Sequence, residues 1–336
     1  MCGNKLNKKT GISIKSFIEF IEIHFVKCEV YMREVMCTLC GSNKCEIIDT
    51  LIRNDINNEY SMYKCLECET HFIYPMPEQE KLEQYYDGTF RKEVHSESYY
   101  SKGKLDTVFN SFLPEAKKRV VRVADELEAN DDILEIGCSV GYFLFAIADK
   151  VKNVYGTEWD SSAVAYINDS IECKNLKVAK NPEDFNRKFD KIFMFHVLEH
   201  IEQPIQFLSN LKSLLNENGK IYIEVPNADD ILVKTFHCHE FMNRYYKKAH
   251  LYNFNEKGLS YVFQQAGYHY DIDYVQRYDI SNHFYWLVNG KPGGNGAYKN
   301  IFPESLNNEY VKALISAKQA DTLFARIWTD STSSGA

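Results

Sequence analysis

The run ILEIGCSVG, residues 133–141, constrains this chain more than any other stretch. An apolar strand pattern carries an acid, Glu135, and then breaks on Gly137 and Gly141. Packing alone requires neither feature. A glycine turn after a buried strand brings bare backbone against a ligand at the N-terminus of the next helix. The flanking sequence repeats the same alternation. PEAKKRVVRVADELEAN (114–130) reads as a helix with Pro114 at its start. DDILEIG is a strand, YFLFAIADKV a helix, NVYGTEWD a strand, SSAVAYINDS a helix opened by N-cap serines, and KFDKIFMF a buried strand. QPIQFLSNLKSLLNENG places Ile205, Leu208, Leu211 and Leu215 on one helical face and stops at Asn218-Gly219, and KIYIEVPN is again a strand. Strands spaced by helices predict an α/β fold with a doubly wound parallel sheet.

Ligands of such sheets bind beyond the carboxyl ends of the strands. Glu158 ends the second strand, where an acid can accept hydrogen bonds from ribose hydroxyls. Glu135 stands just before the turn and can brace the loop or reach an ammonium group. A dinucleotide fingerprint, G-x-G-x-x-G, fits poorly, because Ser139 and Tyr142 occupy its middle and last positions.

The chain has ten cysteines among its 336 residues. Four of them form two C-x2-C pairs, Cys37 with Cys40 and Cys65 with Cys68. Each pair can aim two thiolates at one ion, and the two pairs complete a tetrahedral zinc site. Gly41 suits the positive φ of such a knuckle. Four thiolates leave no open coordination position, so the expected zinc is structural. Cys45 and His71 lie nearby and read as structural filler. Lys44, Arg53 and Lys64 stand against Glu46, Asp49, Asp55, Glu59, Glu67 and Glu69 in residues 37–77. That acidic ribbon is a poor nucleic-acid surface.

The whole chain agrees, with a formal net charge of −8. Phosphate contacts dominate nucleic-acid affinity and leave a basic footprint, so no nucleic-acid partner is expected. No run reaches the roughly 18 uncharged apolar residues of a membrane span. The nearest, residues 13–32, is interrupted by Lys15, Glu19, Glu22, Lys27 and Glu29. No membrane partner is expected, and the cytoplasm is the expected compartment.

E-x-G-x-x-x-G with a strand-end acid resembles the class I S-adenosylmethionine-dependent methyltransferases. The likeness runs on through FDKIFMFHVLEHIEQPIQFL and NGKIYIEVPN, which resemble the ubiquinone-biosynthesis-type branch. With the double C-x2-C, the chain is similar to zinc-ribbon methyltransferases of sugar and surface-polysaccharide pathways. The resemblance implies two cofactors, S-adenosylmethionine and one structural zinc, and a carbohydrate-type small-molecule acceptor. It implies that Gly137, Cys138, Ser139 and Gly141 line the methionine part, that Glu158 holds the ribose with Trp159 beside it, and that Asp184 in NPEDF meets adenine. His196 would lie under the sulfonium end. A serine at 139 is tolerable if its φ stays negative.

The sugar C-methyltransferases carry a Glu-His pair after the fifth strand. In YYKKAHLYNF (245–254) His250 matches, but Ala249 replaces the glutamate, which moves the expectation toward O-methylation. His250 is the first candidate base, with His200 and then His239 behind it; each can equally serve as a substrate contact. Lys247 and Lys248 can meet a phosphate or stand as an exposed pair. A chain that keeps the fold without turnover is the other reading, which Ala249 keeps open. His196, Glu199 and His200 also spell H-x-x-E-H, the inverted zinc-peptidase motif. His196, however, falls at a strand end, and Glu199 and His200 can simply cap the next helix. FHCHEF (236–241) reads as a loop over the cleft.

The expected organisation is an N-terminal extension (1–35), a zinc ribbon (36–80), a Tyr-rich helical connector (81–113), a methyltransferase domain (114–290) and a C-terminal helical extension (291–336). Within it, NEKGLSYVFQQAG (255–267) is a capped helix, and HYDIDYVQRYD and SNHFYWLVNG are edge strands.

Overall fold

Three short strands follow the first cysteine pair: β1 (Cys45–Asp49), β2 (Ser61–Cys65) and β3 (His71–Tyr74). The computed structural model describes residues 35–55, 57–77 and 102–330. The chain divides into two compact units, Met1–Met36 and Cys37–Ala336. The expected extension before Val35, the connector up to Ser101 and the last six residues lie outside the described residues.

The first helix among the described residues, α1 (Lys102–Val123), begins twelve residues before the expected start, so Pro114 sits inside it. An interior proline costs about 3 kcal/mol. Burial of one face offsets that cost: Leu105, Ala116, Val120 and Val123 all join the main core. The alternating half then follows the sequence pattern with two departures: the helix expected to stop at Asn218-Gly219 ends at Leu211, with Leu215, Asn218 and Gly219 already in the next strand, and a strand at Leu176–Ala179 was not expected. Its elements are β4 (Asp132–Ile136), α2 (Tyr142–Ile147), β5 (Asn153–Thr157), α3 (Ser161–Ser170), β6 (Leu176–Ala179), β7 (Phe189–Phe195), α4 (Pro204–Leu211) and β8 (Leu215–Pro226). Two short helices, α5 (Ile231–Lys234) and α6 (His239–Tyr245), lead to the two-residue strand β9 (Tyr252–Asn253). The capped helix α7 (Glu256–Gln265) is opened by the Asn255 side chain, which accepts from Gly258 N–H.

The final quarter departs from the sequence reading. β10 (His269–Val275) is the edge strand expected, but SNHFYWLVNG forms the helix α8 (Ile280–Asn289). Aromatic and β-branched residues favour strands, yet Asp279 caps the first turn and left-handed Gly290 closes the last. The expected helical extension over 291–336 holds α9 (Glu304–Ser316) and then a strand, β11 (Thr322–Trp328). That strand is interior to the sheet.

The seven-stranded order is β10-β11-β8-β7-β4-β5-β6. Strands β8, β7, β4, β5 and β6 run parallel, while β11 lies antiparallel to both β8 and β10. The methyltransferase sheet therefore extends to Trp328, past the expected limit at 290. Phe143, Phe193, Phe195 and Tyr222 pack together at its centre, Phe193 stacked on Tyr222 and Phe143 set at an angle to Phe193 and Phe195, with ring separations of 4.7–5.0 Å. Each such ring contributes about 1.5–3 kcal/mol on burial.

The ribbon is not a free module. Its sheet has the order β1-β2-β3-β9, so its fourth strand comes from beyond β8. Arg53 and Lys247 form a further bridge, with Arg53 N–H donating to Tyr246 O at 2.9 Å and Lys248 N–H to Arg53 O at 3.0 Å.

Candidate functional site

After β4 the backbone passes through three left-handed residues: Gly137 (φ 74°), Ser139 (φ 52°) and Gly141 (φ 78°). Glycine is required twice over at 137, because a Cβ there would stand 2.7 Å from Val197 Cγ2. Ser139 departs from the negative φ expected of it, a conformation costing an L-residue about 1–2 kcal/mol. Its amide donates to Glu158 Oε2 at 2.8 Å. Gly137 and Cys138 N–H both donate to Thr157 O at 2.9 Å, which fastens the loop to β5. The Cys138 side chain is buried against Gly156 and supports the loop from beneath.

Glu158 follows β5 directly. Besides Ser139, its carboxylate accepts from Trp159 N–H at 2.9 Å and Asp160 N–H at 3.0 Å. Trp159 is about half exposed beside it. Glu135 is buried, and its Oε2 has no hydrogen-bond partner. Burial pushes its carboxyl up to about 8; Glu158 adds to this and Arg119 opposes it. A buried carboxyl oxygen with no donor, beside a loop of positive-φ backbone, fits a ligand that brings an ammonium group. Asp184 lies on the 3-10 turn that follows β6. Its Oδ2 accepts from Asn181 N–H at 3.0 Å in a capping box around the 3-10 turn Pro182–Phe185.

His196 stands at the end of β7 with φ 57°, its amide donating to Glu224 O at 2.8 Å. Its Nε2 lies 3.2 Å from Glu224 Oε1 and 2.8 Å from Arg277 Nη1. Glu224 is fully buried and also paired with Arg119 at 2.5 Å and Arg122 at 3.0 Å. Burial alone would raise its carboxyl, but His196 and Arg119 outweigh that and hold it well below the usual range. Arg119 lies over the Phe195 ring, 4.3 Å from its centroid, and Arg277 is anchored to Asp321 at 3.0 Å. Sequence reading missed Arg119, Glu224 and Arg277. The signal for Glu224 was present, since KIYIEVPN holds an acid in a buried strand just as ILEIG does.

The H-x-x-E-H segment forms no long helix. Leu198–His200 is a single 3-10 turn, so His196 and His200 do not share a helical face. The chain instead gathers Glu199, His200 and His250, whose ligand atoms lie within 4.8 Å of one another. His200 and His250 rings meet edge to face at 4.9 Å. Burial pushes His200 down to about 4 and His250 well below the ordinary histidine value. His239 opens α6, is exposed, and lies outside this group.

Beside His250 is a cavity of about 270 Å³ floored by Trp286 and Phe241 and walled by Arg53, Arg244, Lys247 and Arg277. Among the described residues, Arg53, Arg244 and Lys247 have no carboxylate at ion-pair distance. Burial pushes Arg244 and Lys247 down and the Arg53 charge adds to both shifts, while Glu199 opposes the shift at Lys247. Lys248, grouped with Lys247 in the sequence reading, lies over the Tyr60 ring at 5.0 Å.

In the ribbon, Cys37, Cys40, Cys65 and Cys68 converge, with Cys37 Sγ 3.7 Å from Cys68 Sγ and Cys40 Sγ 3.5 Å from Cys65 Sγ. Four thiols in one cluster suit a tetrahedral ion. Cys45 stays outside the cluster, and His71 is tied to the Tyr246 hydroxyl at 3.0 Å. Among the described residues no helix is long and apolar enough to cross a membrane.

Residues 109–271 match a family described as a methyltransferase domain. The tRNA U34 carboxymethyltransferase of Nautilia profundicola is 31% identical over 169 residues, covering 46% of this chain and 54% of its own. A probable S-adenosylmethionine-dependent methyltransferase of Mycolicibacterium smegmatis is 28% identical over 121 residues, covering 33% of this chain and 47% of its own. The chain thus spans about half the length of these curated relatives. Among solved structures, the plantazolicin methyltransferase BpumL in complex with SAH superposes with a TM-score of 0.45 at 17% identity, covering 73% of this chain and 93% of that one. A glycine loop closing β4, an acid closing β5 and an antiparallel β11 inside a parallel sheet accompany that family match, and together they identify a class I S-adenosylmethionine-dependent methyltransferase domain over residues 109–271.

Proposed function

We propose that the chain methylates a hydroxyl of a carbohydrate-type small molecule that carries a phosphate or diphosphate. S-adenosylmethionine supplies an electrophilic methyl group when bound. The Gly137–Gly141 backbone and Glu158 hold its methionine and ribose parts, and the unpartnered Glu135 oxygen takes the ammonium. Residues of the chain then align the acceptor oxygen, exclude water and receive a proton, with His250 or His200 nearest the cleft. The reading assigns no role to His239. It also gives the four ribbon cysteines one structural zinc, whose task is to hold Arg53 and β3 against the acceptor segment.

One observation carries the acceptor class: Arg53, Arg244 and Lys247 line the cavity beside His250, none of them ion-paired to a carboxylate among the described residues, although Asp230 and Asp321 line it too. Three like charges gathered on one cavity repel one another, Glu199 offsets only Lys247, and an anion joining them relieves that cost. A second reading follows the Nautilia relative's name and makes the acceptor a nucleotide of tRNA. The net charge of −8 disfavours it.

The test is transfer of radiolabelled methyl from S-adenosylmethionine into a panel of sugar nucleotides and into total tRNA. Label in the sugar-nucleotide fraction supports the proposal, and label in tRNA replaces it. Tight cofactor binding with label in neither leaves a binding protein that kept the fold without turnover.

A further inference from the structure

We propose that Glu199, His200 and His250 form a second metal centre, a two-histidine, one-carboxylate site for a divalent transition ion, open toward the acceptor cavity. Their ligand atoms lie within 4.8 Å of one another. Glu199 is 1% exposed, and neither of its carboxylate oxygens has a hydrogen-bond partner. His196 Nδ1 approaches one of them only to 3.4 Å, outside hydrogen-bond geometry. An ionised carboxylate so placed needs a counter-charge; Lys247 acts on it only from beyond ion-pair distance, and two neutral imidazoles add none.

Both histidines are held as metal ligands are held. His200 Nδ1 lies 2.6 Å from Ala249 O, a group that only accepts, so Nδ1 carries the proton and Nε2 the lone pair. His250 Nδ1 faces Asn253 Oδ1 at 3.4 Å in the same sense. Orientation of each ring through its second nitrogen by an oxygen acceptor is the outer shell typical of metal-bound histidine. Ligands around a zinc-sized ion stand about 3.3 Å apart at bond lengths near 2.0–2.1 Å, so small side-chain rotations close the site. Three protein ligands leave positions open, and His250 lines the cavity. Nitrogen and oxygen ligands in this set suit zinc, iron, manganese or cobalt. The ion would grip an oxygen of the acceptor, and with both Nε2 lone pairs given to it the two histidines would act as ligands in place of the proton-accepting role proposed above. That role rests on the methyl-transfer reading, but metal binding itself does not.

The site differs from the ribbon in ligand chemistry, which makes the two separable. The full chain, with its ribbon metal in place, is titrated with Co²⁺ alone and followed by visible absorption and metal analysis. Expected is one equivalent of Co²⁺ beyond the ribbon ion, with weak visible bands and no thiolate charge-transfer band. Glu199→Gln and His250→Asn should each weaken that binding tenfold or more while circular dichroism and ribbon metal stay unchanged. Wild-type chain that takes up no Co²⁺ beyond the ribbon overturns the proposal, as do folded variants that bind it as tightly as wild type. Calorimetry with S-adenosylhomocysteine runs alongside. Cofactor binding without Co²⁺ sinks the metal centre alone, and Co²⁺ binding without cofactor sinks the methyltransferase reading alone.

Discussion

The Ser139 amide lies 2.8 Å from Glu158 Oε2, and this bond ties the glycine loop to the acid at the end of the neighbouring strand. The same carboxylate takes the amides of Trp159 and Asp160. Glu158 therefore sets the shape of the loop besides serving as the proposed ribose acceptor. Its replacement removes two functions at once.

Glu158→Ala should weaken S-adenosylmethionine binding at least tenfold. Charge-assisted hydrogen bonds contribute roughly 1.5–3 kcal/mol each, and the loop held by Ser139 loosens as well. Glu158→Gln keeps an acceptor oxygen and should fall between the two. Titration calorimetry decides this, and equal affinities in all three proteins would remove Glu158 from the site.

Glu135 predicts a proton released on binding. Its carboxyl is raised from 4.5 to about 8 by burial, so the folded chain holds this proton where an unfolded chain has lost it. The stability this lends is complete below about pH 4.5 and is lost as pH rises through about 8. A bound ammonium favours the ionised form, so cofactor binding near pH 7 should expel the proton. Calorimetry of S-adenosylhomocysteine in buffers of different ionisation enthalpy should show release in the wild type beyond that in Glu135→Gln. Identical proton counts would place the ammonium elsewhere.

The ribbon's fourth strand comes from residues 252–253, so zinc loss should be felt outside the ribbon. In Cys65→Ser, hydrogen exchange should speed up over residues 37–77 and also over 246–254, the stretch holding Lys247 and His250. Strands β4, β5 and β7 should keep their protection. Exchange confined to 37–77 would make the ribbon an independent module.

Most of the parallel sheet was legible because its strands are short apolar runs and its helices carry apolar faces. The glycine loop was legible because Glu135, Gly137 and Gly141 make no sense as packing. β11 was not, since TLFARIW follows a helical stretch and its strand identity comes from the slot between β8 and β10. Short apolar runs do not declare their type by periodicity. Burial that depends on distant partners was equally hidden. Glu199 meets His250 only because β9 pairs with the ribbon, and Arg53 reaches the cavity only through its bridge to Lys247.

The cationic wall of the cavity gives the sharpest test of the acceptor. Arg53 arrives from the ribbon, while Arg244 and Lys247 arrive from the segment after α5. If all three meet one phosphate group, removing any of them weakens acceptor binding without touching methyl transfer itself. Arg53→Ala and Arg244→Ala should each raise the acceptor's KM roughly tenfold or more, with kcat and cofactor affinity near wild type. Their effects should not add, because both act on the same anion. Lys248→Ala is the control, since Lys248 lies over Tyr60 and does not line the cavity. A phosphate-bearing acceptor whose KM ignores Arg53 and Arg244 would show that the charge is read elsewhere. Equal loss for an uncharged acceptor would show that these arginines shape the cleft and bind no anion.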